Sequence, residues 1–212
     1  MKLDISKYKA FFFDFDGVIA DTVDIKAEAF GELFKKHGEE VSAKVMDHHR
    51  NNGGVSRYEK FRHYYKFLLK KPIDKDIIRR LDKKYSRLVF AKVIGASYIK
   101  GVEGFIKELN RKGRACFVIS ATPQKEIRRI VKERGLKRFF KDTVGSPRNK
   151  TVNLKGLLKK YRVNPNEAVY FGDAKSDYEA AHNNHTDFIA IVNNRSSELA
   201  KIRNIPMIKN FR

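Results

Sequence analysis

The chain predicts an α/β fold in which a purely helical unit is inserted behind the first strand. Three observations carry this expectation. The apolar run Phe11-Phe12-Phe13 stops abruptly at Asp14-Phe15-Asp16-Gly17-Val18, as a buried strand does when it delivers polar groups to the carboxyl edge of an open parallel sheet. From Gly101 onward, helical and strand periods alternate, which implies a parallel sheet covered by helices on both sides. Between these regions the apolar periodicity is helical only. The expected architecture is a Rossmann-like parallel sheet core at 1–19 and 97–212, with a helical domain at 20–96.

The elements follow in order. Val23 to Lys36 places Ile25, Ala29, Phe30, Leu33 and Phe34 at helical spacing and closes at His37-Gly38, a helix with a glycine stop. Asn51-Asn52-Gly53-Gly54 breaks the chain, and Ser56 offers an N-cap to a second helix carrying Tyr58, Phe61, Tyr65 and Leu68. Lys71-Pro72 ends it. A third helix runs from Asp74 to about Val93 through Ile77, Ile78, Leu81, Tyr85 and Leu88. Then come a helix at Val102–Lys112, a strand at Ala115–Ser120 and a helix from Pro123 to Arg134 stopped by Gly135. A short strand at Thr143-Val144 precedes a helix from Thr151 to Tyr161. Strands at Ala168–Phe171 and Phe188–Val192 follow, with a last one at Pro206-Met207-Ile208.

The chemistry-bearing residues lie at strand ends. Carboxylates two apart on a strand point to opposite faces, but Gly17 lets the chain bend at once, so Asp16 can swing back beside Asp14. One carboxylate can then attack an electrophile and hold a hard cation, while the other moves a proton. Taken alone, Asp-x-Asp-Gly is also an ordinary way to end a strand. Three further features match it. Ser120-Ala121-Thr122 brings a hydroxyl and backbone N–H groups suited to phosphate oxygens to another strand end. Lys150 opens a helix after Gly145-Ser146-Pro147-Arg148-Asn149. Ala168–Phe171 runs into Gly172-Asp173-Ala174-Lys175-Ser176-Asp177, a second delivery of carboxylates.

This ordered set resembles the haloacid dehalogenase superfamily over nearly the whole chain. The resemblance implies a magnesium-dependent phosphatase acting on a small phosphorylated metabolite through an aspartyl phosphate. By position, the implied nucleophile is Asp14, the general acid/base Asp16, and the phosphoryl-binding groups Ser120 and Lys150, with Ala121 beside them. Asp14, the backbone carbonyl of Asp16, Asp173 and Asp177 would serve Mg2+. The acid at position 16 argues for phosphate-ester chemistry, because the dehalogenase and phosphonatase branches expel no alkoxide that needs a proton. The helical insertion would be the cap that selects substrate. Gly54-Val55-Ser56-Arg57 resembles the specificity loop of the β-phosphoglucomutase and phosphoglycolate phosphatase branch, so Arg50 and Arg57 are expected to meet the remote part of the substrate, with Asn51 and Asn52 adding amide contacts. The mutase branch commonly carries a histidine on the first cap helix where this chain has Lys26. That departure weakens a sugar-phosphate mutase as the alternative, and leaves Lys26 either binding a substrate anion or solvated on the helix.

Composition sets the remaining bounds. The 212 residues suit one core domain plus an insertion. No apolar stretch approaches a membrane span, and Met1-Lys2-Leu3-Asp4-Ile5 lacks a secretory pattern, so a cytoplasmic protein without membrane partners is expected. The single cysteine, Cys116, lies in an apolar strand and reads as core packing. The net charge of +21 is spread along the chain in pairs such as Lys35-Lys36 and Arg128-Arg129, which suggests solvated helix faces. The sharper reading is a basic protein that keeps the fold to bind nucleic acid, although no zinc-finger spacing or RNA-recognition motif supports it. The interleaved aromatic and basic run Arg57 to Lys66 reads by its period as a helix packed on one side and solvated on the other. His48, His49 and His63 lack ligand-like partners, and no zinc site is expected.

Overall fold

The computed structural model describes residues 5–192, 199, 202 and 204–212. Met1–Asp4, on which part of the leader expectation rests, lie outside the described residues. Six strands form one parallel sheet: β1 (Ala10–Phe13), β2 (Ala115–Pro123), β3 (Asp142–Ser146), β4 (Ala168–Gly172), β5 (Asp187–Ile191) and β6 (Met207–Ile208). Their order is β3-β2-β1-β4-β5-β6. Strand β1 is therefore central, paired with β2 on one side and β4 on the other. Phe13 lies level with Val118 and Phe171, so Asp14, Ser120 and Asp173 leave the sheet at one edge. The order reverses direction at β1/β4, where open parallel sheets form a ligand crevice.

The period of two along β1 divides its aromatics between the faces. Phe11 and Phe13 join one apolar layer, and Phe12 joins the other with Leu154, Leu157 and Ala180. Phe12 stacks on Phe117 at 4.8 Å and Phe13 on Phe171 at 5.1 Å. These ring ladders fix the register that aligns the three strand ends. Cys116 is buried and its thiol is pushed up to about 12 by burial, which fits core packing.

Between β1 and the next strand come α1 (Val23–Phe34), α2 (Glu39–Asn51), α3 (Arg57–His63) with a π-helical turn at Tyr64–Leu68, α4 (Lys75–Gly95) and α5 (Val102–Arg111). The segment leaves and re-enters side by side: Asp21 N donates to Ser97 O and Ile99 N to Ile19 O, at 2.9 and 3.0 Å. Ser56 and Asp74 cap α3 and α4 by accepting from Glu59 N and Ile77 N, as their residue types predict. The interior of the insert is aromatic, with Phe30 against Phe61, Tyr64 and Tyr85, and it is continuous with the Phe11/Phe13 layer. Arg134 closes the far end of α4 by donating to Val93 O, Ile94 O and Ala96 O, the carbonyls that a helix leaves unpaired.

One helix of the insert was not expected. In α2 the buried positions are only Ser42, Val45 and His49, too thin an apolar stripe to register as periodic. The remaining helices are α6 (Gln124–Glu133) and α7 (Lys150–Lys160), close to the expected bounds, and α8 (Lys175–Asn183), to which the sequence reading gives no bounds. Among the described residues no helix is long and apolar enough to cross a membrane.

Candidate active site

Asp14 follows β1 and is 2% exposed. Its Oδ1 accepts from Phe15 N, and its Oδ2 accepts from Lys150 Nζ at 2.6 Å. The same ammonium donates to Asp177 Oδ1, also at 2.6 Å. Lys150 reaches this position because Asn149 caps α7, accepting from Val152 N at 2.9 Å, and so starts the helix with the lysine aimed at the sheet edge. Asp177 is fixed from the other side, where its Oδ2 accepts from Ala174 N. Burial pushes the Asp14 carboxyl up to about 7, against the pull of Lys150. Asp173 is raised well above the carboxylate range by burial and by the neighbouring Asp14 and Asp177.

Oxygens of Asp14, Asp173 and Asp177 lie within 4.8 Å of one another. Three crowded carboxylates that form an all-oxygen donor set suit a hard divalent cation. Gly17 is what admits Asp173: its φ is +76°, and a Cβ there would sit 2.0 Å from Asp173 Oδ2. Only glycine tolerates both the backbone and the contact.

Asp16 has a different environment. Its carboxylate accepts from Thr22 Oγ1 at 2.6 Å and from Lys26 Nζ at 2.5 Å, and Lys26 also donates to Thr122 Oγ1 at 2.8 Å. Burial alone would raise the Asp16 carboxyl, but Lys26 and Thr22 together hold it below its ordinary value. Two carboxylates from one turn thus sit in unlike surroundings, the usual sign of divided acid and base roles. Ser120 is buried and its Oγ accepts from Thr122 N at 3.1 Å. Pairing of β2 with β3 shifts register between Ile119 and Pro123, which releases the Ser120–Thr122 backbone from regular ladder geometry.

A family model for haloacid dehalogenase-like hydrolases matches residues 11–191. The chain belongs to that family. Among solved structures, this haloacid dehalogenase-like hydrolase is similar to a β-phosphoglucomutase from Clostridium difficile, at 19% identity and TM-score 0.77 over 96% of this chain and 92% of that one. It is also similar to a predicted phosphoglycolate phosphatase from Haemophilus somnus 129pt, at 16% identity and TM-score 0.74 over 97% and 95%. A phosphoglycolate phosphatase from Vibrio vulnificus is 29% identical over 87 residues, which span 39% of this chain and 38% of the relative. The chain is thus matched over about two-fifths of the length of that curated relative.

The hydrolase's cleft joins the sheet edge to the helical insert and holds about 520 Å3 of empty space, its open mouth included. Asp14, Asp16, Ala121, Thr122 and Asp173 line its floor, and Lys26, His49, Arg57, Lys60 and Tyr85 line the wall contributed by the insert. The loop at Gly54, with φ +74°, presses on the floor: a Cβ there would lie 2.9 Å from Lys150 Nζ and 2.1 Å from Ser176 Oγ.

The insert departs from four expectations. Arg50 is absent from the cleft lining, because its guanidinium pairs with Asp24 and Asp47 on the surface. Arg57 reaches the cleft, but its guanidinium is bound by both oxygens of Glu126, by Asp82 at 3.1 Å and by Ser86 at 2.7 Å. It ties α3 and α4 to α6. Neither Asn51 nor Asn52 lines the cleft, and Asn52 Nδ2 instead donates to His48 O. Lys26 is not solvated but buried against Asp16.

Lys60, His49 and Thr22 were not singled out from sequence. The signal for Lys60 was present: Arg57, Lys60, Phe61, Tyr64 and Tyr65 stand at i, i+3, i+4, i+7 and i+8, one helical face. Two cations on an otherwise aromatic stripe are themselves the anomaly.

Proposed function

We propose that this chain is a magnesium-dependent phosphate-monoester hydrolase acting on a small phosphorylated metabolite through an aspartyl phosphate. The observation that carries the reading is the Asp14–Lys150–Asp177 arrangement at the carboxyl end of β1, with Asp16 held separately on Lys26. Asp14 Oδ attacks phosphorus in line and the bond from phosphorus to the ester oxygen breaks. Lys150 and the Ser120 hydroxyl donate to the equatorial oxygens, and the Ala121 backbone lies beside them. Asp14, Asp173, Asp177 and the Asp16 carbonyl would hold Mg2+, which supplies positive charge to the transferring phosphoryl group when bound.

The departing oxygen needs a proton. Lys26 Nζ donates to the Asp16 carboxylate at 2.5 Å, so the Asp16–Lys26 pair rather than Asp16 alone delivers it. In the second half Asp16 takes a proton from water, the hydroxide attacks phosphorus, and the bond to Asp14 breaks to give inorganic phosphate. The helices between 20 and 96 act as a cap over the cleft.

Magnesium-dependent release of phosphate from a panel of esters, abolished by Asp14→Asn, tests the reading. Release without an added acceptor separates hydrolysis from transfer to a second substrate hydroxyl, as in a mutase. Salt-sensitive polynucleotide binding without turnover would instead favour a basic binding protein.

A further inference from the structure

The charges on the cleft wall do not all find partners. Lys26 is matched by Asp16, and Arg57 by Glu126 and Asp82. Lys60 is 2% exposed, and among the described residues no carboxylate pairs with it. Among the described residues the one hydrogen bond of its side chain is to His49 Nδ1 at 2.9 Å, with the Phe30 ring 5.7 Å from the ammonium. The histidine is itself buried, and its proton affinity is driven well down by burial and by Lys60, so it accepts as a neutral ring. An ammonium has three donors, and two remain for the cleft. Burial, and next the charge of Lys26, depress Lys60 to about 7, while Asp16 pulls the other way. An isolated buried cation is expensive unless something pairs with it.

We infer that Lys60, seated on His49 in the cap wall, binds a second anionic group on the leaving side of the substrate. The reaction of the preceding subsection, on which this rests, then acts on phosphate esters that also carry a carboxylate or another phosphate, in preference to esters of neutral alcohols. Arg57, the residue the sequence offers for this task, already has its charge matched within the protein. Lys60 is the basic group left without a counter-charge, and it shares the cleft with Asp14 and Asp173. An arriving anion supplies the missing counter-charge and the acceptor for the two remaining N–H groups. A neutral hydroxyl in that position supplies an acceptor without the charge.

The test compares 2-phosphoglycolate, 1,2-ethanediol bisphosphate and 2-hydroxyethyl phosphate, which differ at the group remote from the reacting phosphate. With magnesium present, kcat/KM is expected to be higher for the two acidic esters, and Lys60→Met to lower it on them by about tenfold to a hundredfold, as for a lost hydrogen bond to a charged group. The loss on 2-hydroxyethyl phosphate is expected to be several times smaller, and Lys60→Arg to restore part of the preference. The order of the two acids identifies the group as carboxylate or phosphate. Calorimetric titration of the same esters into Asp14→Asn and into Asp14→Asn/Lys60→Met reads the site without turnover. The acidic esters should bind the first protein at least tenfold tighter than the neutral one, and the second protein should lose that difference. Equal losses on all three esters, or an undiminished preference in Lys60→Met, overturns the inference even if hydrolysis is observed. Selective binding that depends on Lys60, with no phosphate released by the wild type, supports the inference and overturns the hydrolase reading.

Discussion

Lys60→Met should make the protein more stable, and by an amount that depends on pH. The ammonium falls from its ordinary value of 10.5 to about 7 on folding, chiefly through burial, which at ~1.4 kcal/mol per pH unit sets an upper bound of ~5 kcal/mol on what the buried amine costs the folded state. Replacing buried charge by apolar side chains of similar volume gains about 1–4 kcal/mol in practice. The orphaned His49 Nδ1 takes back about 1 kcal/mol of that, so a net gain of up to ~3 kcal/mol is expected near pH 7.5. The sign follows from linkage. Between the two values the unfolded chain binds a proton that the folded chain does not, so stability from this group is lost as the pH falls from 10.5 towards 7 and changes little below that. The advantage of Lys60→Met should therefore shrink to ~1 kcal/mol or less at pH 9.5. Urea denaturation of both proteins at pH 7.5 and 9.5 reads it directly. An equal difference at both values, or a variant less stable at both, would refute the claim that Lys60 is a buried amine without a counter-ion.

Other outcomes follow from the same contacts. Asp16→Asn should slow hydrolysis of alkyl esters by about a hundredfold or more, since it removes the proton relay, and of p-nitrophenyl phosphate by much less; equal losses with chemistry rate-limiting would exclude that role. Gly17→Ala should lower stability by ~2 kcal/mol or more and abolish turnover, because the backbone is left-handed and the new Cβ would overlap Asp173; a wild-type melting temperature would contradict the contact. Glu126→Gln should destabilise by about 3 kcal/mol, as expected when a buried guanidinium loses its main partner, and denaturant unfolding would show it.

The sheet was legible because each strand is an apolar run ended by a polar group, and because caps such as Ser56 and Asp74 are short-range signals. The same strand-end logic placed Asp14, Asp16, Ser120, Lys150, Asp173 and Asp177, and the structure gathers them at one sheet edge. What sequence could not supply was pairing across distance. Arg57 looked available for substrate until Glu126, 69 residues away, took its guanidinium. Asp16 reads as a lone general acid/base because the sequence does not place Lys26 against it, and the choice for Lys26 between a substrate anion and solvent leaves out this contact because helical period alone does not say what covers a face. Helix α2 escaped because its buried face holds a serine, a valine and a histidine. Lys60 was hidden by the ordinary assumption that lysines face water, though its place on an aromatic stripe was visible.

The covalent step at Asp14 is the centre of the proposed reaction. Protein mixed with magnesium and p-nitrophenyl phosphate, quenched in acid within the first turnovers and digested, should yield the peptide containing Asp14 heavier by one phosphoryl group in the mass spectrometer. The label should be lost on treatment with hydroxylamine, and Asp14→Asn should give none. Sustained phosphate release with an unmodified Asp14 peptide at every quench time, or wild-type turnover in Asp14→Asn, would contradict it.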